Sequence, residues 1–176
     1  MEELGVDFIV VEPLTDESSD HPDPQLRAIN NAEAKAKSVS SWYPDSLIIG
    51  ADTIVYLDGI FMGKPSSPED AEKMLEMLSS RTHQVYTGIA VINTSTGEML
   101  SGVSRTDVRF KRLNSEAIKA YVSSGEPMDK AGAYAIQGQG ESFFREISGS
   151  RSNVIGLPIE LLKQLLRKAS ATYSRC

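Results

Sequence analysis

The pattern of apolar and polar positions divides the chain into short strands and helices that follow one another closely. Leu4 to Val11 is a brief apolar run rich in β-branched residues and reads as a strand. Glu2, Glu3 and Leu4 followed by Gly5 read as the tail of a helix with a glycine stop. Residues 12–24 carry Pro13, Pro22, Pro24 and many short polar side chains, the composition of a loop. Gln25 to Val39, dense in Ala, Lys and Glu, predicts a helix. The run Ser46 to Ala51 predicts a buried strand. Thr53 to Leu57 continues it, and Asp58-Gly59 marks a hairpin.

Ser67-Pro68-Glu69-Asp70 opens the next helix: a capping hydroxyl, a proline in the first turn, and acids at the positive end of the helix dipole. Its apolar face is Ala71, Met74, Leu75 and Leu78. Two long strand candidates, His83 to Asn93 and Glu98 to Lys111, flank the turn at 94–97. Ser115-Glu116 starts another helix, stopped near Gly125 and Pro127. Residues 130–153 are glycine-rich with short extended pieces, and Leu157 to Lys168 is an amphipathic helix. Trp42 and Tyr43 read as core cover, and His83 as a structural histidine. Strands alternating with helices predict an α/β fold, and the two long neighbouring strands an antiparallel portion. The expected architecture is a mixed, elongated sheet flanked by helices. No repeat or linker interrupts it, so residues 1–176 are read as one domain.

Composition narrows the function classes. A lone cysteine, Cys176, cannot form an internal disulfide. No apolar run reaches the ~18 residues of a membrane span, and no signal peptide is visible, so a cytoplasmic protein is expected. Net charge is −6 and the first 24 residues hold eight acids and no Lys or Arg. That balance opposes a general grip on nucleic acid but not recognition of a small phosphorylated ligand by a few placed cations.

Four segments carry candidate chemistry. In Gly50-Ala51-Asp52-Thr53 an acid follows a buried apolar strand, a position suited to holding a cation or accepting a proton from water. Taken alone, Asp52 reads better as a turn-capping aspartate. Gly63-Lys64-Pro65 holds a lysine on stiffened backbone that can meet a phosphate, although the segment is not a Walker A loop. Glu126 to Gly138 combines Gly, charge and aromatic residues: Lys130 suits a phosphate, and the Gln137 amide can donate and accept. Asn153 to Pro158 leads into the last helix and reads as a loop-to-helix join.

In order along the chain, these segments resemble the Maf family of nucleoside triphosphate pyrophosphatases. The likeness runs through 4–8, 16–18, 32–36, 49–55, 63–65, 71–79, 82–88, 125–138 and 153–158. It implies hydrolysis of a nucleoside triphosphate to the monophosphate and pyrophosphate, with a divalent cation, Mg²⁺ or Mn²⁺. By the same likeness Asp52 is the catalytic proton acceptor and, with Glu17, a metal ligand. Lys35, Lys64 and Lys130 match basic positions for the triphosphate, and Thr53 and Gln137 match positions tied to substrate choice. Thr82-His83-Gln84-Val85, together with Lys130 and Gln137, resembles the branch acting on dTTP and UTP. A homodimer is implied as well. One departure is visible. Family members open with a strand and a Ser-x-Ser-Pro-Arg-Arg loop before a helix ending Glu-Glu-Leu-Gly, whereas this sequence begins Met1-Glu2-Glu3-Leu4-Gly5. The expectation is therefore a chain lacking that loop, with a non-catalytic nucleotide-binding or regulatory form as the alternative.

Overall fold

The computed structural model describes residues 7–15 and 19–173. Five strands form one sheet in the order β2-β1-β3-β4-β5. They are β1 (Leu47–Leu57), β2 (Ile60–Met62), β3 (Thr82–Asn93), β4 (Met99–Phe110) and β5 (Phe144–Ser148). Every pairing among them is antiparallel. The α/β class and the helices flanking the sheet follow the sequence expectation. In place of the expected mixed sheet, the described strands pair antiparallel throughout, because the long strands β3 and β4 join through a tight turn rather than through a crossover helix. The strand pieces expected at 46–51 and 53–57 are one continuous strand. β1 turns into β2 through Asp58 and Gly59, both at positive φ (45° and 92°), the geometry that lets a two-residue hairpin match strand twist.

Period-two alternation assigns the faces of the sheet. On one face lies α1 (Pro24–Ser40), capped by Asp23, whose carboxylate accepts from the backbone of Gln25 and Leu26. Ala28, Ala32 and Ala36, one helical turn apart and fully buried, meet the sheet directly. The glycines beneath them allow a close approach. A Cβ on Gly88 would fall 2.2 Å from the Ala28 carbonyl oxygen, and one on Gly50 2.2 Å from that of Ala32. α1 therefore lies unusually near β1 and β3.

The opposite face carries α2 (Pro68–Leu78), α3 (Ser115–Ser123), α4 (Arg151–Ile155) and α5 (Ile159–Tyr173). Val55, Leu57, Leu75, Leu78, Val85, Val108 and Phe110 form the larger core there, and Ile89, Val91, Leu162 and Leu165 a second one under α5. Ser67 caps α2 as expected, accepting from the Asp70 N–H. His83 is fully buried within this face.

Some expectations change. Residues 7–11 form no strand and pair with none of the described strands; Phe8, Ile9 and Val10 are exposed. The helix tail expected at residues 2–5 lies outside the described residues. Trp42 is not core cover: it stands about half exposed just beyond the end of α1. The loop expected at 153–158 contains the end of α4, stopped by Gly156 at φ 109°. Among the described residues, no helix is long and apolar enough to cross a membrane.

Candidate active site

Asp52 lies on β1, on the face covered by α1, and is almost fully buried. A buried carboxylate needs partners, and α1 supplies two of them. Lys35 Nζ donates to Asp52 Oδ1 at 2.6 Å and Asn31 Nδ2 donates to Asp52 Oδ2 at 3.0 Å. Both reach it because Gly50 and Gly88 bring the helix close. Asn31 and Lys35, together with Arg27, recur every four residues and form a stripe beside the alanine stripe that packs on the sheet. Asn31 also ties in the preceding loop, since its Oδ1 accepts from the Ser19 N–H at 3.1 Å.

A cavity of about 430 Å³ opens at this point, within the range of small-molecule sites. It wraps around the outer edge of β1, where β2 pairs only with Val55–Leu57. Consecutive residues Asp52 and Thr53 point to opposite faces of the sheet, yet both line the cavity. On the α1 side the wall is polar: Ser19, Arg27, Asn31 and Lys35. On the other side it is mainly apolar, with Val85, Tyr134, Val154 and Ile155.

Thr53 is held by a relay of hydrogen bonds. Its Oγ1 is 2.9 Å from that of Thr87, which donates to the Asn153 carbonyl at 2.9 Å. The fully buried Asn153 amide in turn donates to Val85 O at 3.0 Å and Thr106 Oγ1 at 2.9 Å. Gly156 lies next to Thr53, and a Cβ there would stand 3.3 Å from its hydroxyl.

The two remaining lysines meet at the rim. Gly132 N–H donates to the Gly63 carbonyl at 2.9 Å, pinning the backbone before Lys64 against the turn after Lys130. That second loop is shaped by Glu126, which accepts from Tyr121 Oη and the Gln139 N–H. Lys130 Nζ donates to Asp129 Oδ2 at 2.6 Å. This contact holds the Asp129 carboxyl below its usual range, with Lys64 adding a smaller pull.

Asp52, Thr53, Lys35, Lys64 and Lys130 thus share one cavity. Lys35 meets the Asp52 carboxylate directly, a contact that the sequence did not reveal. Gln137 is not brought to the cavity wall; it is exposed at the start of a 3-10 turn. Glu17 lies outside the described residues. Sequence reading missed Arg27, Asn31, Phe61 and Asn153. The four-residue spacing of 27, 31 and 35 was the available signal for the first two, whereas Asn153 and Phe61 join the site only through tertiary packing.

Among the described residues no three His, Cys, Asp or Glu side chains cluster as a metal site. Magnesium is commonly held by one or two carboxylates together with substrate phosphates. The oxygen donors of Asp52 fit that pattern if a polyphosphate completes the coordination.

Comparison with known proteins bears on the family of the chain. Residues 1–169 match the family profile of Maf-like proteins. A dTTP/UTP pyrophosphatase of Syntrophus aciditrophicus is 43% identical over 173 residues, covering 97% of this chain and 84% of that protein. Proteins of the same name from Symbiobacterium thermophilum and Methanosarcina barkeri are 44% and 39% identical, with 94% and 96% of this chain and 85% and 86% of those proteins covered. With the family profile spanning nearly its whole length, the chain belongs to the Maf family.

Proposed function

We propose that the cavity hydrolyses nucleoside triphosphates of the dTTP and UTP type, releasing the monophosphate and pyrophosphate. The observation that carries this reading is the Asp52 carboxylate, fixed by Lys35 and Asn31 in a cavity that also holds Lys64 and Lys130. Breaking the link between the first two phosphates places negative charge on the departing pyrophosphate. Fixed cations aimed at that charge lower the barrier. In this reading Asp52 accepts a proton from the attacking water. Its two oxygens are oriented by different donors, so the carboxylate cannot rotate freely. Lys35 carries three donors and can meet a phosphate oxygen while it holds Asp52. Lys64 and Lys130 neutralise the polyphosphate at the rim. Thr53 and the apolar wall beside it take the nucleoside end; Gln137, which the family likeness ties to substrate choice, stands outside the wall, so in this reading the choice falls to Thr53.

Pyrophosphatases of this family generally depend on a divalent cation. Here Asp52 and Glu17 would hold Mg²⁺ or Mn²⁺, which supplies further positive charge against the phosphate oxygens when bound. The net charge of −6 favours free nucleotide over nucleic acid as the partner. A cytoplasmic homodimer completes the reading.

The test is pyrophosphate release from dTTP and UTP with Mg²⁺ or Mn²⁺, wild type beside Asp52→Asn. The expected loss is about 10²-fold or more, as for removal of a positioned proton acceptor. Equal rates would remove Asp52 from the mechanism.

A further inference from the structure

We infer that Arg27 is a further substrate-contacting residue, its guanidinium taking the departing pyrophosphate end of the nucleotide. The inference rests on the pyrophosphatase reading above and names a residue that neither the sequence nor the family likeness assigned. Arg27 heads the α1 stripe that continues through Asn31 to Lys35, and it lines the cavity. It therefore stands on the Asp52 side of the sheet, away from the apolar wall. One helical turn, about 6 Å, separates it from Asn31, which bonds Asp52 directly.

The guanidinium is fixed but not neutralised. Its Nε donates to the Ser19 carbonyl at 2.5 Å, and its carbon lies 4.2 Å over the Phe61 ring. Among the described residues neither Nη group has a hydrogen-bond partner and no carboxylate forms an ion pair with Arg27. Lys35 and Lys130, in contrast, each already meet a carboxylate. A planar fork whose stem and one face are held, with its outer donors paired to no acid among the described residues, suits bidentate contact with phosphate oxygens at little further ordering cost. Phe61 covers one face of the group, which favours this edge-on use over stacking on a base.

The experiment compares wild type, Arg27→Met, Arg27→Lys and Phe61→Leu, each checked for an unchanged melting temperature. Binding of inorganic pyrophosphate and, separately, of UMP is measured by calorimetry with Mg²⁺ present. Arg27→Met should weaken pyrophosphate about tenfold, the scale of one lost charge-assisted bond, and leave UMP unchanged. Arg27→Lys and Phe61→Leu should fall between it and wild type. Unchanged pyrophosphate binding in Arg27→Met overturns the inference, and so does an equal loss for UMP, which would put Arg27 at the nucleoside end. UTP turnover is followed in parallel. A wild type that binds pyrophosphate yet releases none from UTP counts against the hydrolytic reading alone, because the binding comparison does not depend on turnover.

Discussion

His83 offers a prediction in which sign and size both follow from burial. Its ring is fully buried, edge-on to Phe110 and Tyr134 with centroids 5.1 and 5.3 Å away. Nε2 is 2.7 Å from the Tyr134 hydroxyl, and Nδ1 has no hydrogen-bond partner. A protonated ring would carry an N–H at both nitrogens, and the one at Nδ1 would find no acceptor. Burial accordingly pushes the pKa down from 6.5 to about 4, and Asp107 opposes it only in part. Because the folded pKa lies below the unfolded one, the unfolded chain takes up the proton first as pH falls. Stability is unaffected above about pH 6.5, declines below it, and stops declining from this cause below about pH 4. The loss amounts to about 2 kcal/mol between pH 7.5 and 5, approaching about 3 kcal/mol at the limit. Carboxylates titrate over the same range, so the measurement is a difference. Urea unfolding of wild type and His83→Phe is followed at several pH values and one protein concentration. The variant leaves the Tyr134 hydroxyl without its partner, a cost that is constant with pH because burial raises the Tyr134 pKa far above the range tested. Wild type should lose about 2 kcal/mol more than His83→Phe on going from pH 7.5 to 5. Parallel stability curves for the two proteins would refute the buried neutral imidazole.

Three further outcomes are expected. Gly88→Ala would drive a methyl into the Ala28 carbonyl; it should cost about 1–3 kcal/mol of stability as overpacking and lower kcat by lifting Asn31 and Lys35 off Asp52, with thermal melts and turnover as the readouts. Asn31→Leu removes the donor to Asp52 Oδ2 and should reduce kcat about tenfold with little change in KM, since it disturbs the carboxylate rather than the nucleotide; an effect confined to KM would contradict that role. Lys64→Gln and Lys130→Gln should raise KM for UTP by about tenfold each, the scale of a lost charge-assisted contact, and unchanged Michaelis constants would remove the rim lysines from phosphate binding.

Local signals carried most of the fold. The Ser67 cap, the Asp58-Gly59 turn and the long apolar run of β3 are written in adjacent residues, and each element formed where its own chemistry directed. The α1 boundaries came within one residue for the same reason. What escaped was tertiary. Asn153 is a polar residue in a loop until β3 and β4 surround its amide, and Asn31 is one of two adjacent asparagines until the helix settles on Gly50 and Gly88. Asp52, Lys64 and Lys130 stood out as charged residues close to glycines, whereas Lys35 entered only through the family likeness, and its pairing with Asp52 depends on how near α1 lies to the sheet. Gln137 shows the converse: its segment folds beside the cavity, while the side chain itself stands outside the wall.

The division of the cavity by the edge of β1 has an evolutionary consequence. Residues 52 and 53 are covalent neighbours, yet their supports are separate: α1 braces the carboxylate, and α4 with the Thr87–Asn153 relay braces the threonine. If Thr53 meets the nucleoside and Asp52 the water, as proposed above, substitutions around α4 would reach the first without disturbing the supports of the second. On that reading, a change of nucleotide preference need not pass through a form that has lost its carboxylate brace.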